Sequence, residues 1–210
     1  MRPDDIWNQH YTLHRSGTAG DAWIGRHAPL LEPLRHLPCL DLGCGSGENA
    51  ARLHAAGFQV LACDFSATAL QTLSAIHPDI ETACFDMTRP WPAHLHGFGL
   101  VLASLSTHYF TLADTRAVYR RVYRSLAPGG VFILRVNSRR EFDRRDKDNI
   151  VRELAPDFFL THHGAHKRYF AATSLAAMLG DFARIKAAEG TFLYRGHDKH
   201  YVEAIAHKAR

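Results

Sequence analysis

From Pro38 onward the chain alternates short, almost wholly apolar runs with segments of helical length: CLDLG, SGENAARLHAAG, FQVLACD, SATALQTLSAI and DIETACFD. FGLVLASL follows, then a helix from about Leu112 to Leu126 closed by the stop signal APGG, then VFILRVNS. Strands that are apolar almost throughout must be covered on both faces, and crossover helices on either side of a parallel sheet do this. The pattern predicts a doubly wound α/β fold. A length of 210 residues with 46% apolar content fits a single such domain. Residues 1–36 read as a helical cap in two pieces and 38–137 as the sheet core. Residues 139–170 contain the mixed charge run RREFDRRDKD and read as an insertion or lid. In 171–210 a helix starting near a Thr173–Ser174 cap precedes the strands FARIKAAE and HYVEAIAH, expected as a hairpin with a long connection.

Charge and composition narrow the function classes little. The net charge is +4 and the pI about 9.0, but charged residues make up only 22% of the chain. The basic residues Arg116, Arg120, Arg121 and Arg124 share one helix, which in this architecture packs behind the sheet and presents a solvated face. No stretch of about 18 apolar residues exists, and the N-terminus has no apolar segment behind a basic start. A cytoplasmic protein without a membrane segment is expected. Cys39, Cys44, Cys63 and Cys84 match no paired zinc pattern and are expected as reduced thiols. His162, His163 and His166 lack an acidic or thiolate partner nearby and read as a solvated loop, so no metal is expected.

The run from Asp41 to Gly47, DLGCGSG, follows a strand and opens a helix, where glycines let backbone approach a ligand. A dinucleotide fingerprint would place a third glycine at position 48, which is Glu48. Asp41 and Glu48 would repel a pyrophosphate, whereas an acid at the strand end suits an ammonium group. Asp64 ends the second strand about 20 residues on, the distance at which an acid accepts both hydroxyls of a ribose. That spacing is shared with nicotinamide-cofactor proteins. Asp86 ends the third strand, placed to accept from an adenine amino group while Met87 packs on the ring.

With these motifs in order, LDLGCGSG, ACDFS, CFDM and LAPGGVFIL, residues 38–137 resemble the class I S-adenosylmethionine-dependent methyltransferases. The resemblance implies a Rossmann-like, seven-stranded, mostly parallel sheet with a reversed last strand, S-adenosylmethionine as cofactor, and methyl transfer. By the same carry-over Asp41 and the backbone at Gly43 and Gly45 hold the methionine end, Asp64 the ribose, and Asp86 with Met87 the adenine. Cys44, Phe65 and Ser104 belong to the same cofactor set. The opening WNQHY and the stretch SLSTHYF are similar to a small-molecule branch that includes thiopurine and tellurite methyltransferase-like proteins. In that branch the N-terminal segment folds over the cofactor, which makes Trp7, Tyr11 and Arg15 candidates for closing the site. Trp7 and Tyr11, four apart, equally fit the apolar face of a helix.

The strand FGLVLASL delivers Ser104 to Tyr109 to the carboxyl edge, where open α/β sheets bind ligands. His108 is the candidate base, with a positioning role as the alternative. Tyr109 is expected to line the acceptor pocket. Arg135 interrupts the apolar strand VFILRV, and a buried arginine calls for an acidic partner: Asp41 or a substrate carboxylate. Tyr169, near the end of the insertion, is a further acceptor-side candidate. The chain lacks the [ND]-P-P-[YF] motif at the end of this strand and the Pro-Cys pair of two base-methylating subclasses. The expected partner is a small-molecule acceptor rather than nucleic acid, for a monomer or homodimer. The alternatives are an RNA or protein methyltransferase, a non-catalytic cofactor-binding module, and a nicotinamide-dependent oxidoreductase.

Overall fold

The computed structural model describes residues 3–13, 23–194 and 196–210. The main sheet has seven strands: β1 (Cys39–Leu42), β2 (Val60–Asp64), β3 (Glu81–Cys84), β4 (Phe98–Ser104), β5 (Leu126–Asn137), β9 (Arg184–Tyr194) and β10 (His197–His207). Their order is β3-β2-β1-β4-β5-β10-β9. The strands from β3 to β5 are parallel, and β10 runs antiparallel to both β5 and β9. The reversed strand is thus β10, inserted between β5 and β9. β1 and β4 are neighbours from which the chain order runs outward in both directions. That is the switch point at which such sheets open a crevice beyond the strands' carboxyl ends.

The helices are α1 (Pro3–Leu13), α2 (Ala28–Leu31), α3 (Glu48–Ala55), α4 (Ala67–Ile76), α5 (Leu112–Ser125), α6 (Arg139–Glu141) and α7 (Ala172–Met178). On one face of the sheet Val118, Tyr119 and Val122 of α5 and Leu175 of α7 pack against Leu40, Val101, Phe132 and Val202. On the other face Ala50 and Leu53 of α3, Leu73 of α4 and Trp23 pack against Cys39, Leu100, Leu102 and Ile133. α5 starts at Thr111, whose side chain accepts from the Asp114 amide, and buries only its apolar side, leaving Arg116, Arg120 and Arg124 exposed.

Several expectations need correction. The closing hairpin has no long connection: only residues 195 and 196 separate β9 from β10, and Gly196 turns with φ 81°. Residues 192–194 and 197–199 fall in the expected connection, yet strand pairing is satisfied by backbone and continues through both. α7 is preceded by Ala171; Ser174 instead reaches back, its Oγ accepting from the Ala171 amide and donating to the Ala171 carbonyl. Cys84 is exposed, because β3 is an edge strand of mixed burial.

Residues 139–170 hold α6, two short helical turns and an antiparallel sheet of β6 (Ile150–Ala155), β7 (Phe158–Thr161) and β8 (His166–Arg168). Phe142, Phe159 and Tyr169 form its own aromatic core, with Phe142 stacked on Phe159 at 4.6 Å. His162, His163 and His166 are exposed on this unit. No described helix is long and apolar enough to cross a membrane.

Candidate functional site

The turn between β1 and α3 carries Gly43, Gly45 and Gly47, all at positive φ. The amides of Gly43 and Cys44 both donate to the Cys63 carbonyl, which ties the turn to the end of β2. At Gly45 a Cβ would stand 2.5 Å from the Tyr11 hydroxyl, so the glycine is what lets α1 close over the loop. α1 is further held by Asn8, whose Oδ1 accepts from the Ser66 hydroxyl at 2.7 Å, and by Trp7, edge-on to Tyr109 at 4.8 Å. Trp7 and Tyr11 therefore lie over the glycine loop and the carboxyl edge. Arg15 lies outside the described residues.

Three carboxylates edge the crevice in three different states. Asp64 accepts from the amides of Gly45 and Ser66, both at 2.9 Å. Burial raises its pKa, and the amides of Ser66, Gly45 and Phe65 oppose the rise. Each oxygen keeps a lone pair for hydroxyl donors. Asp41 is 1% exposed, and neither of its oxygens has a hydrogen-bond partner. Burial pushes its carboxyl up to about 7, partly opposed by the nearby Ala50 amide and reinforced by the charge of Asp64. Asp86 is half-exposed and accepts from the amide and hydroxyl of Thr88, while Met87 is buried beside the glycine turn.

At the end of β4 the chain turns sharply. Leu105 has φ 55°, a left-handed conformation unusual for leucine, and its amide donates to the Arg135 carbonyl. Ser106 then donates to the Leu42 carbonyl at 2.7 Å, and Thr107 meets the Tyr119 hydroxyl at 3.1 Å. His108 follows, 1% exposed, with Nδ1 unpartnered and its ring 4.2 Å from that of Tyr109. Burial and the charges of Lys199 and Lys167 push its pKa well below the ordinary histidine value, so the imidazole is neutral. Tyr109 is half-buried, and desolvation raises the pKa of its hydroxyl.

Arg135 does not pair with Asp41. Its Nε donates to Ser104 at 2.8 Å, and its guanidinium lies over Trp23 at 4.3 Å and Phe192 at 4.6 Å. The Ser104 hydroxyl and these aromatic faces are among its contacts. Tyr169 donates to Asp146 at 2.6 Å and so helps to hold that carboxylate.

Sequence reasoning passed over a group that assembles only here. Lys167 bonds Asp146 at 3.0 Å, and Lys199 of β10 bonds Glu141 at 3.1 Å, with Glu141 almost fully buried. The second oxygen of Glu141 accepts from the His200 amide. Tyr194 at the tip of β9 is close enough to influence both Tyr11 and Tyr109. Asn137 ends β5 with its side chain buried. No local pattern marks these residues, because their partners come from distant segments. Among the described residues, no group of three or more His, Cys, Asp and Glu is placed to hold a metal ion.

The sheet order, with its glycine turn at the switch point and acids at successive strand ends, matches the Rossmann-like fold of solved methyltransferases. The family model for a methyltransferase domain matches residues 39–130. The cypemycin N-terminal methyltransferase of a Streptomyces species is 30% identical over 138 residues, 60% of this chain and 51% of that protein. The chain thus spans about half the length of this curated relative. Among solved structures, an S-adenosylmethionine-dependent methyltransferase from Anabaena variabilis superposes with TM-score 0.74 at 18% identity, covering 99% of this chain and 96% of that one. The N-methyltransferase NodS from Bradyrhizobium japonicum, crystallised with S-adenosylhomocysteine, gives 0.68 at 14% identity, covering 98% and 100%. S-adenosylmethionine is the cofactor these similarities imply, and the residues present suit it: Asp41 offers a buried, unpartnered carboxylate to an ammonium group, and Asp64 offers acceptors to hydroxyls.

Proposed function

We propose that the protein transfers the methyl group of S-adenosylmethionine to a small-molecule acceptor by direct in-line displacement. The observation that carries the reading is the unpartnered carboxylate of Asp41, sealed behind a glycine turn at the switch point. A buried acid in that state is poised for a cationic ligand. When bound, the cofactor supplies an electrophilic methyl on sulfur; the acceptor's lone pair forms the new bond as the carbon–sulfur bond breaks, leaving S-adenosylhomocysteine. In this reading Asp41 and the turn at Gly43, Cys44 and Gly45 hold the methionine end, and Asp64 beside Phe65 orients the ribose. Asp86 and Met87 take the adenine, and Ser104, held by Arg135, borders the reacting edge. Trp7 and Tyr11 exclude water from above.

Neutral His108 receives the acceptor's proton, and Tyr109 forms the wall beside it. Arg135 and Tyr169 support the acceptor side through Ser104 and Asp146. Two of the three proteins named above act on nitrogen by their descriptions, an N-terminus in one and an N-methyltransferase in the other, which favours an amine acceptor. The small-molecule reading is supported by Trp7 of α1, packed edge-on to Tyr109 over the carboxyl edge.

The test is a thermal shift with S-adenosylhomocysteine beside NAD and ATP, since a ligand that binds only the folded state raises its melting temperature. S-adenosylhomocysteine alone is expected to stabilise, and Asp64→Asn, which retains an acceptor for one of the two amides, is expected to lose most of the shift. Stabilisation by NAD instead would overturn the reading.

A further inference from the structure

Asn137 is the last residue of β5, 1% exposed, and both Oδ1 and Nδ2 are without a hydrogen-bond partner. A buried amide with donor and acceptor both unmet is costly and rare in a folded protein. His108 Nδ1 and His200 Nδ1 are further such atoms here. His108 and Asn137 are neighbours. The Arg168 amide donates to the His108 carbonyl at 2.7 Å, and the Phe170 amide donates to the Asn137 carbonyl at 2.9 Å. Amides two residues apart in an extended segment point the same way, so His108 and Asn137 stand side by side along segment 168–170.

Strand alternation puts the Asn137 side chain on the face of β5 that carries Arg135, and register sets it opposite Tyr201, two residues from Lys199. Around this corner Lys199 pairs with Glu141 and Lys167 with Asp146, while Arg168 bonds the carbonyls of Phe110 and Pro156. The hydrogen bonds left unmet belong to Asn137, His108 and His200. An amide asks for one N–H to accept from and one carbonyl to donate to, adjacent to each other.

Resting on the methyltransferase reading, we propose that Asn137 reads the methyl acceptor, and that the acceptor is an amine with a neighbouring carbonyl: an α-amino amide, free or at the N-terminus of a short peptide. Asn137 Oδ1 accepts from the amine, Nδ2 donates to the carbonyl, and His108 Nδ1 takes the proton that the nitrogen gives up as it gains the methyl.

The experiment uses the full chain saturated with S-adenosylhomocysteine, with saturation checked by the thermal shift; absence of that shift condemns the methyltransferase reading itself. Glycinamide and trialanine amide are then titrated calorimetrically beside ethylamine, which lacks the carbonyl, and N-acetylglycinamide, which lacks the amine. Transfer of labelled methyl from S-adenosylmethionine is followed in parallel. The α-amino amides are expected to bind and be methylated at least about tenfold better than ethylamine, and the acetylated probe not at all. A preference for trialanine amide over glycinamide assigns the peptide source, and the reverse the free amide. Asn137→Leu is expected to lower kcat/KM for the α-amino amides by about 10- to 100-fold, to leave the S-adenosylhomocysteine shift intact and to abolish the preference over ethylamine. Asn137→Asp, which keeps the shape and the acceptor but loses the donor, is expected to abolish the same preference and decides the matter if the leucine variant does not fold. With S-adenosylhomocysteine bound, equal use of ethylamine and glycinamide, no binding of any probe, or a preference unchanged in the variants would overturn the proposal.

Discussion

On the β1–β2 side of the crevice Asp64 is held by Ser66 and Asp86 by Thr88, each two residues on, and Gly45 of the adjoining turn, 19 residues back, is the second donor to Asp64. On the β5–β10 side Glu141 reaches Lys199 58 residues away, and Asp146 is held by Lys167 and Tyr169, 21 and 23 residues on. The first side is formed as soon as its strand–turn–helix units form. The second exists only once the unit 139–170 has docked against β10 and segment 168–170. A site built in this way keeps its cofactor half when the acceptor half is disturbed, and that independence is measurable.

The largest effect belongs to a change that breaks the local side itself. Gly47 has φ 89°, and a Cβ there would stand 2.2 Å from Leu73 Cδ1 of α4. Gly47→Ala is expected to cost about 3 kcal/mol in urea unfolding, by adding left-handed strain to overpacking, and to weaken S-adenosylhomocysteine binding with it. An unchanged midpoint would show that this turn is soft and would undo the contrast.

Next comes the long-range side. Glu141→Gln leaves Lys199 largely buried without its counter-charge and is expected to cost about 2 kcal/mol, less than a fully buried pair because the Lys199 side chain is 15% exposed. The change should abolish acceptor turnover while S-adenosylhomocysteine still raises the melting temperature as in the parent. Parallel loss of both would mean that the two halves are coupled. Burial already lowers the Lys199 pKa against the pull of Glu141, so the variant should also lose stability at lower pH than the parent as that amine is forced to charge.

The smallest effect has the opposite sign. Asp41 has its folded pKa raised to about 7 from 3.8, so the folded chain holds that proton more tightly than the unfolded one. Its contribution is fully present below pH 4 and is lost as pH rises through about 7. Asp41→Asn is expected to stabilise the ligand-free protein above pH 7 by about 1–2 kcal/mol, a few degrees in melting temperature. The parent should bind S-adenosylhomocysteine more tightly as pH rises through 7, and the variant should bind about tenfold more weakly with no such dependence. A variant that is less stable at pH 8 would show that the unpartnered carboxylate has a structural role.

The same division explains what was legible beforehand. Each part of the glycine turn, Asp64 and Asp86 announces itself within a few residues of a strand end, so motif and spacing were enough. Arg135 shows the limit: a charged residue in an apolar strand signals that partners exist, but not that the rings of Trp23 and Phe192 are among them, drawn from the cap and the edge strand. The strands of 139–170 were hidden because β6 is exposed along most of its length and shows no alternation to read. The length of β9 was hidden because an edge strand pairs through its backbone whatever its side chains.

By itself the sequence determined the alternating strands and helices, the glycine turn and the acids that follow it, because each rests on neighbours in the chain. The tertiary structure alone decided that Asn137 and His108 stand together, that Lys199 and Lys167 meet Glu141 and Asp146, and that Tyr11 closes over Gly45. Those contacts join segments far apart in the chain, and a side chain's unmet hydrogen bonds become visible only when everything around it is in place.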